Sequence, residues 1–294
     1  MEYEIKDPLA RLLGIRVERV KDNGIVTGLE IRPDFRNPYF LTHGGCLYTL
    51  GHITAALTAQ ICLGRQIVVV DANNQYVSPL MESPAVAESE IVRSGRELIV
   101  CRVRISDGNG KLCMSQTVLM KEVDFPPAAE LTAVPTLFPA GADAPLDPVT
   151  GVAYPRISPI FGEVLHMFVV GRGETGMIYG ADLYPETCNL FGAAHGGMIY
   201  TCCDAAASGS AAFLMDRKTV TVSSNIRYLR SIRTGPLRAE GRLVRSGKST
   251  MFYDVDVTDG EGVLSAVAQV VVQCVDYKVS DTVPAEYRRN AFAE

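Results

Sequence analysis

The sequence predicts an α+β protein built from two copies of one unit, each a long buried helix wrapped by an antiparallel sheet. Three observations lead there. The 294-residue chain repeats itself at one ungapped offset of 152 residues: Asn37 recurs as Asn189, His43 as His195, Gly24 as Gly176, Gly28 as Gly180, Pro33 as Pro185 and Tyr76 as Tyr228. Arg93-Ser94-Gly95-Arg96 likewise meets Arg245-Ser246-Gly247-Lys248, and Asp107-Gly108-Asn109-Gly110 meets Asp259-Gly260-Glu261-Gly262; a match spanning turns, helix and strands together marks a duplication. Within each copy one stretch of helix length is apolar almost all round, and the segments after it alternate apolar and polar residues at the strand period.

The elements follow in order. Asp7-Pro8-Leu9-Ala10-Arg11-Leu12-Leu13 reads as a short leading helix with proline at its first position. Ile15 to Ile31 reads as two strands about the hairpin signal Asp22-Asn23-Gly24. A loop, Asn37 to Thr42, enters the central helix Gly44 to Leu63, and strands are expected at Ile67 to Val77, Ala85 to Arg93, Leu98 to Ser106 and Lys111 to Lys121. The second copy repeats the plan, with its helix from Gly196 to about Met215. The expected division is a first domain at 1–123, a Pro-rich linker at 124–155, a second domain at 156–278 and a polar tail at 279–294.

Composition narrows the function classes. Hydrophobic residues make up 47% and charged residues 21%, enough apolar material for ordinary cores. A net charge of −5 argues against nucleic acid or anionic membrane as partner. The N-terminal Met1 to Asp7 is charged, without the apolar core of a signal peptide. The eight cysteines form no CxxC pair and no Cys/His cluster of zinc-ligand spacing, so reduced thiols, no metal and a cytoplasmic setting are expected. Asn37 to Gly64 carries no formal charge and is long enough to be mistaken for a membrane span. Its His43, Thr49, His52, Thr54, Thr58 and Gln60 fit a helix buried in a sheet better.

The chemistry lies in the repeated loop, Asn37-Pro38-Tyr39-Phe40-Leu41-Thr42-His43-Gly44-Gly45 and Asn189-Leu190-Phe191-Gly192-Ala193-Ala194-His195-Gly196-Gly197. A helix start offers unpaired N–H groups and the positive end of the dipole, and glycine lets a ligand oxygen come close. Those are the requirements of an oxyanion hole, with Asn and His able to orient substrate or water. A lone His-Gly-Gly could equally serve tight helix–sheet packing; two copies at one offset favour the site. The loop holds no carboxylate base or nucleophile. Asp204, nine residues after His195, is the one charge in a long apolar run, and its counterpart is His52. A buried carboxylate is costly without a partner or a task. Nine helical residues span roughly 13 Å, so Asp204 cannot reach its own helix start but can reach one lying antiparallel beside it. The site is therefore expected to combine both halves.

These residues resemble the PaaI-like (phenylacetate-pathway) acyl-CoA thioesterases of the hotdog superfamily. That pattern is Asn, five residues, His-Gly-Gly, then Asp seven residues after the second glycine. The second half matches it at Asn189, His195, Gly196, Gly197 and Asp204; the first matches Asn37, His43, Gly44 and Gly45 and departs at His52. A Ser or Thr four residues before a strand Asn completes the family pattern, matched by Thr221 before Asn225 but not by Val69 before Asn73. The resemblance implies one complete site, with Asn37, His43 and Gly44 facing Asp204 and Thr221. It implies a second, incomplete one, with Asn189, His195 and Gly196 facing His52 and Val69; this place could be a degenerate pocket that still binds ligand, a purely structural remnant, or a site where a neutral His52 serves as base at higher pH. The substrate implied is an acyl- or aryl-CoA, with no further cofactor, and double-length chains of this type are expected to pair as homodimers. The Asp would serve as general base or as nucleophile. Candidates for the CoA phosphates are Arg93, Arg96, Arg227, Arg230, Arg233, Arg245 and Lys248. The rival readings are a non-catalytic acyl-CoA-binding module and a hotdog hydratase or dehydratase.

Overall fold

The computed structural model describes residues 3–37, 39–128, 160–173, 176–215 and 217–276. The expected linker from residue 129 onward and the expected C-terminal tail lie outside them. The first half runs α1 (Pro8–Leu13), β1 (Arg16–Lys21), β2 (Gly24–Leu29), α2 (Gly44–Leu63), β3 (Ile67–Tyr76), β4 (Ala85–Ser94), β5 (Leu98–Ser106) and β6 (Leu112–Glu122). The second repeats it as α3 (Ile160–Val164), β7 (Met167–Arg172), β8 (Met177–Ala181), α4 (Gly196–Met215), β9 (Thr219–Tyr228), β10 (Leu237–Ser246), β11 (Thr250–Thr258) and β12 (Leu264–Cys274). Each long strand was expected from its alternation, and its burial alternates accordingly: Leu98–Ser106 buries Ile99, Cys101, Val103 and Ile105 and turns Arg102 and Arg104 outward.

The two half-sheets are one sheet of twelve strands among the described residues, in the order β1-β2-β4-β5-β6-β3-β9-β12-β11-β10-β8-β7. The halves join through antiparallel β3 and β9, where Asn73 faces its own repeat counterpart Asn225. A pseudo-twofold axis therefore passes between these strands. It also passes between Tyr48 and Tyr200, equivalent residues whose rings stack with centroids 3.8 Å apart.

Helices α2 and α4 lie side by side beneath this sheet, antiparallel, because Gly45 packs on Thr201 and Gly197 on Thr49. In both pairs a Cβ on the glycine would overlap the threonine side chain. The second glycine of each His-Gly-Gly thus serves helix–helix contact. Being covered by sheet on one side and by a partner helix on the other explains why α2 is apolar all round. It is the one helix among the described residues with the length and hydropathy of a membrane span, and 72% of that window is buried inside the protein.

The leading helices are exchanged between the halves. Asp7 caps α1 by accepting from the Ala10 N–H at 2.9 Å, and α1 rests on the 3-10 turn Pro185–Thr187 of the second half. Conversely, α3 rests on the turn Pro33–Phe35 of the first half, with Phe161 edge-on to Phe35 at 5.8 Å. Sequence reading placed each leading helix with its own half in the chain. The packing across the axis was not visible to it.

Candidate active site

The Asn37–His43 loop closes on itself before it offers anything to a ligand. Asn37 Oδ1 accepts from the N–H groups of Tyr39 and Leu41, both at 3.0 Å, so its remaining polar group toward the cavity is the amide nitrogen. His43 is the N-cap of α2: its Nδ1 accepts from the Gly45 N–H at 2.9 Å. That bond fixes the ring as the neutral tautomer with its proton on Nε2, and burial holds the imidazole pKa down to about 4. His43 Nδ1 lies 3.9 Å from Asp204 Oδ2, but with a neutral ring this is contact and not an ion pair. The Gly44 N–H is left as the first amide of α2, without an intrahelical acceptor.

Asp204 comes from the middle of α4 and approaches Gly44 at that helix start. A Cβ built on Gly44 would sit 3.2 Å from Asp204 Oδ2 and 3.5 Å from the Tyr76 hydroxyl. The other carboxylate oxygen, Oδ1, accepts from the Thr221 hydroxyl at 2.5 Å. Burial raises the Asp204 pKa to about 6, against the lowering effect of the Thr221 bond. Tyr76 donates to the Gly44 carbonyl at 3.0 Å and lies 3.0 Å from the Tyr200 hydroxyl, which pairs in turn with Ser224 at 2.7 Å. Tyr39 crosses from the first loop to the second half, its hydroxyl accepting from the Thr219 N–H at 3.1 Å. Tyr39, Tyr76, Asp204 and Thr221 open on a cavity of about 500 Å3 lined by both halves. Among the described residues no three His, Cys, Asp or Glu side chains gather as metal ligands.

The equivalent loop of the second half is built alike and filled differently. His195 Nδ1 accepts from the Gly197 N–H at 3.0 Å, Asn189 Oδ1 closes its loop on Phe191 and Ala193, and Tyr228 donates to the Gly196 carbonyl at 2.7 Å. In front of Gly196 stands the His52 ring, so close that a Cβ there would overlap it. His52 and His195 are tilted at 5.1 Å, and Asp7 Oδ2 lies 3.4 Å from His195 Nε2. Burial drives the His52 pKa down to about 3, which makes a weak base. The start of the linker covers the loop as well: Phe125 packs on Phe191 at 4.9 Å, and the Ala128 N–H donates to the Leu190 carbonyl.

A model of the thioesterase superfamily matches residues 41–114 and again 191–266, about half of the chain and one helix-plus-strands unit in each copy. The chain belongs to the thioesterase superfamily. It is a thioester hydrolase with two tandem hotdog repeats. This thioesterase is 30% identical over 113 residues to a Saccharolobus solfataricus protein that bears an esterase name, a match covering 37% of the chain and 79% of that relative. Solved structures share the double fold at low identity. The acyl-CoA thioesterase II of Mycobacterium marinum gives a TM-score of 0.61 at 13% identity, covering 94% of this chain and 99% of that one. A protein of unknown function with hotdog fold from Alicyclobacillus acidocaldarius gives 0.65 at 12%, covering 93% and 100%.

Of the residues singled out in the sequence of this thioesterase, Asn37, His43, Gly44, Asp204 and Thr221 line one cavity. Asn189, His195, Gly196 and His52 meet at the second loop, while Val69 stands on β3 where Thr221 stands on β9. Among the described residues no Arg or Lys lines the cavity, the candidate phosphate ligands included. Arg227 lies 3.5 Å from Asp71, Arg233 donates to the Phe191 carbonyl, and Arg93, Arg96, Arg230, Arg245 and Lys248 are exposed. Sequence reading missed Tyr76, Tyr200 and Phe161. The recurrence of Tyr76 as Tyr228 was visible, and both tyrosines hold a glycine carbonyl at a helix start. Nothing local marked Phe161, whose ring packs on His43 with centroids 5.6 Å apart.

Proposed function

We propose that the protein hydrolyses an acyl-CoA thioester at a single composite site per chain, in the manner of the PaaI-like thioesterases. Gly44 of the first half and Asp204 and Thr221 of the second carry the reaction. The observation that supports this reading is the approach of the free Asp204 oxygen to the Gly44 helix start, inside a cavity bordered by both halves. The thioester carbonyl oxygen accepts from the Gly44 N–H. Its carbon then faces Asp204 Oδ2, while Thr221 holds Oδ1. Asp204 takes a proton from water, the resulting hydroxide adds to the carbonyl carbon, and the Gly44 amide stabilises the oxyanion. Collapse breaks the C–S bond, and the CoA thiolate takes the proton from Asp204. If Asp204 instead adds directly, an acyl-aspartate forms and water releases it; oxygen-18 from solvent entering Asp204 in a single turnover marks that route.

In this reading the second loop is structural. His52 fills the space in front of Gly196 and Asp7 holds His195, so the amide lacks an open approach. We also infer a cytoplasmic enzyme whose chains associate in pairs, to be checked by sedimentation. The test of the function is thiol release from a panel of short, medium and aryl acyl-CoAs. Turnover that falls by about a hundredfold or more in Asp204→Asn supports the role, whereas full turnover in that variant removes Asp204 from the chemistry.

A further inference from the structure

The cavity continues past the reacting groups along one face of α4. Asp204, Ala205, Ser208, Gly209 and Ala212 all line it, at the spacing of one helix face. The repeat counterparts on α2 of the last four are Ile53, Ala56, Leu57 and Gln60. Duplication has thus left a hollowed face beside the complete site and a bulkier one beside the other.

At the level of Gly209 the hollow meets Tyr179 of β8. A Cβ on Gly209 would sit 2.5 Å from the Tyr179 hydroxyl, so the absence of a side chain there is what admits the phenol. Tyr179 is only 8% exposed, it lines the cavity, and its hydroxyl has no hydrogen-bond partner among the described residues. That hydroxyl is not among the sealed, unsatisfied buried atoms, so its open side is the cavity. Its repeat counterpart, Thr27, is by contrast satisfied by Thr54 at 2.6 Å. Burial raises the Tyr179 pKa to about 12, which keeps the phenol protonated and a donor at neutral pH. Ser208, one turn beyond Asp204, adds a second hydroxyl to the same wall. From Asp204 to Gly209 the helix rises about 7.5 Å, the reach of a medium-length acyl group whose carbonyl sits at Gly44.

We propose that Tyr179 is a specificity-determining residue: its hydroxyl selects acyl groups that carry a hydrogen-bonding substituent at their far end over plain saturated chains of equal length. The proposal rests on the thioesterase reading of the Gly44–Asp204 site. An unmatched phenol in a largely closed pocket is a penalty that a methyl terminus leaves standing and a hydroxyl or carbonyl relieves.

The test compares hexanoyl-CoA with 6-hydroxyhexanoyl-CoA in two readouts: thiol release by the native protein and by Tyr179→Phe, and calorimetric titration of both esters into Asp204→Asn and Asp204→Asn/Tyr179→Phe. The expected result is a roughly three- to tenfold preference for the hydroxylated ester, the weight of one neutral hydrogen bond, collapsing toward unity when Tyr179 is Phe. No preference with Tyr179 present, or an undiminished one with Phe, overturns the proposal. If neither ester is hydrolysed while another acyl-CoA of the panel is, six-carbon chains are not substrates of the Gly44–Asp204 site, and the titration ratio still decides the selectivity.

Discussion

Asp204 is a carboxylate whose surroundings work against its charge. Its folded pKa is raised from 3.8 to about 6 by burial. A raised carboxylate contributes stability while protonated, and that stability is lost as pH rises from about 4 through 6. At 1.36 kcal/mol per unit the ionised form costs about 3 kcal/mol. Asp204→Asn should therefore melt on the order of 5 °C above the native protein at pH 8, a gap that closes toward pH 4, while losing turnover. Calorimetry across that range checks both the sign and the window. Native turnover should rise with pH through an apparent pKa near 6 as the carboxylate ionises. Thr221→Val removes the bond that lowers this pKa, so the rising limb of the pH–rate profile should move to higher pH; an unmoved limb would mean that Thr221 does not touch the working carboxylate. Asp204 itself was legible in the sequence as a lone charge in an apolar run. The Tyr179 phenol was not, because a tyrosine in a strand reads as core until the glycine beneath it is seen.

At the scale of the helix start, the two glycines of His43-Gly44-Gly45 do different work, and substitution separates them. At Gly44 a methyl group meets Asp204 Oδ2 at 3.2 Å, close enough that the carboxylate must give by a few tenths of an ångström. Gly44→Ala should stay folded and lose activity. At Gly45 the methyl overlaps Thr201, so Gly45→Ala should cost about 1–3 kcal/mol in denaturant unfolding, with partial recovery in Gly45→Ala/Thr201→Ala. The sequence showed both glycines at a helix entry and supported either packing or catalysis as the reason for them. The structure assigns packing to the second and leaves the first facing the cavity. The strands were legible from their alternation almost to the residue, as was the span of α2. Pairing between α2 and α4 was legible only through a length argument, that nine helical residues put Asp204 too far from its own loop. The exchange of α1 and α3 between the halves had no such signal, since it depends on contacts remote in the chain.

For the whole molecule, duplication has allowed two equivalent places to diverge. One keeps the carboxylate, the hydroxyl and an open pocket; the other has His52, Val69 and an aspartate from the N-terminal helix. Asp7 and His195 then tie the first residues of the chain to the second half, with the His195 ring almost wholly buried. Asp7→Ala should lower the melting temperature by the loss of a helix cap and a buried partner, about 1–2 kcal/mol for the cap alone, and its effect on turnover should be small beside that of Asp204→Asn. These equivalent positions are no longer equal in function. The most direct measurement is thiol release from a turned-over acyl-CoA by Asp204→Ala and His52→Ala, two truncations at repeat-related residues. Asp204→Ala is expected to lose at least a hundredfold while His52→Ala stays within a few-fold of the native rate. Comparable losses in both, or a larger loss at His52, would contradict that divergence.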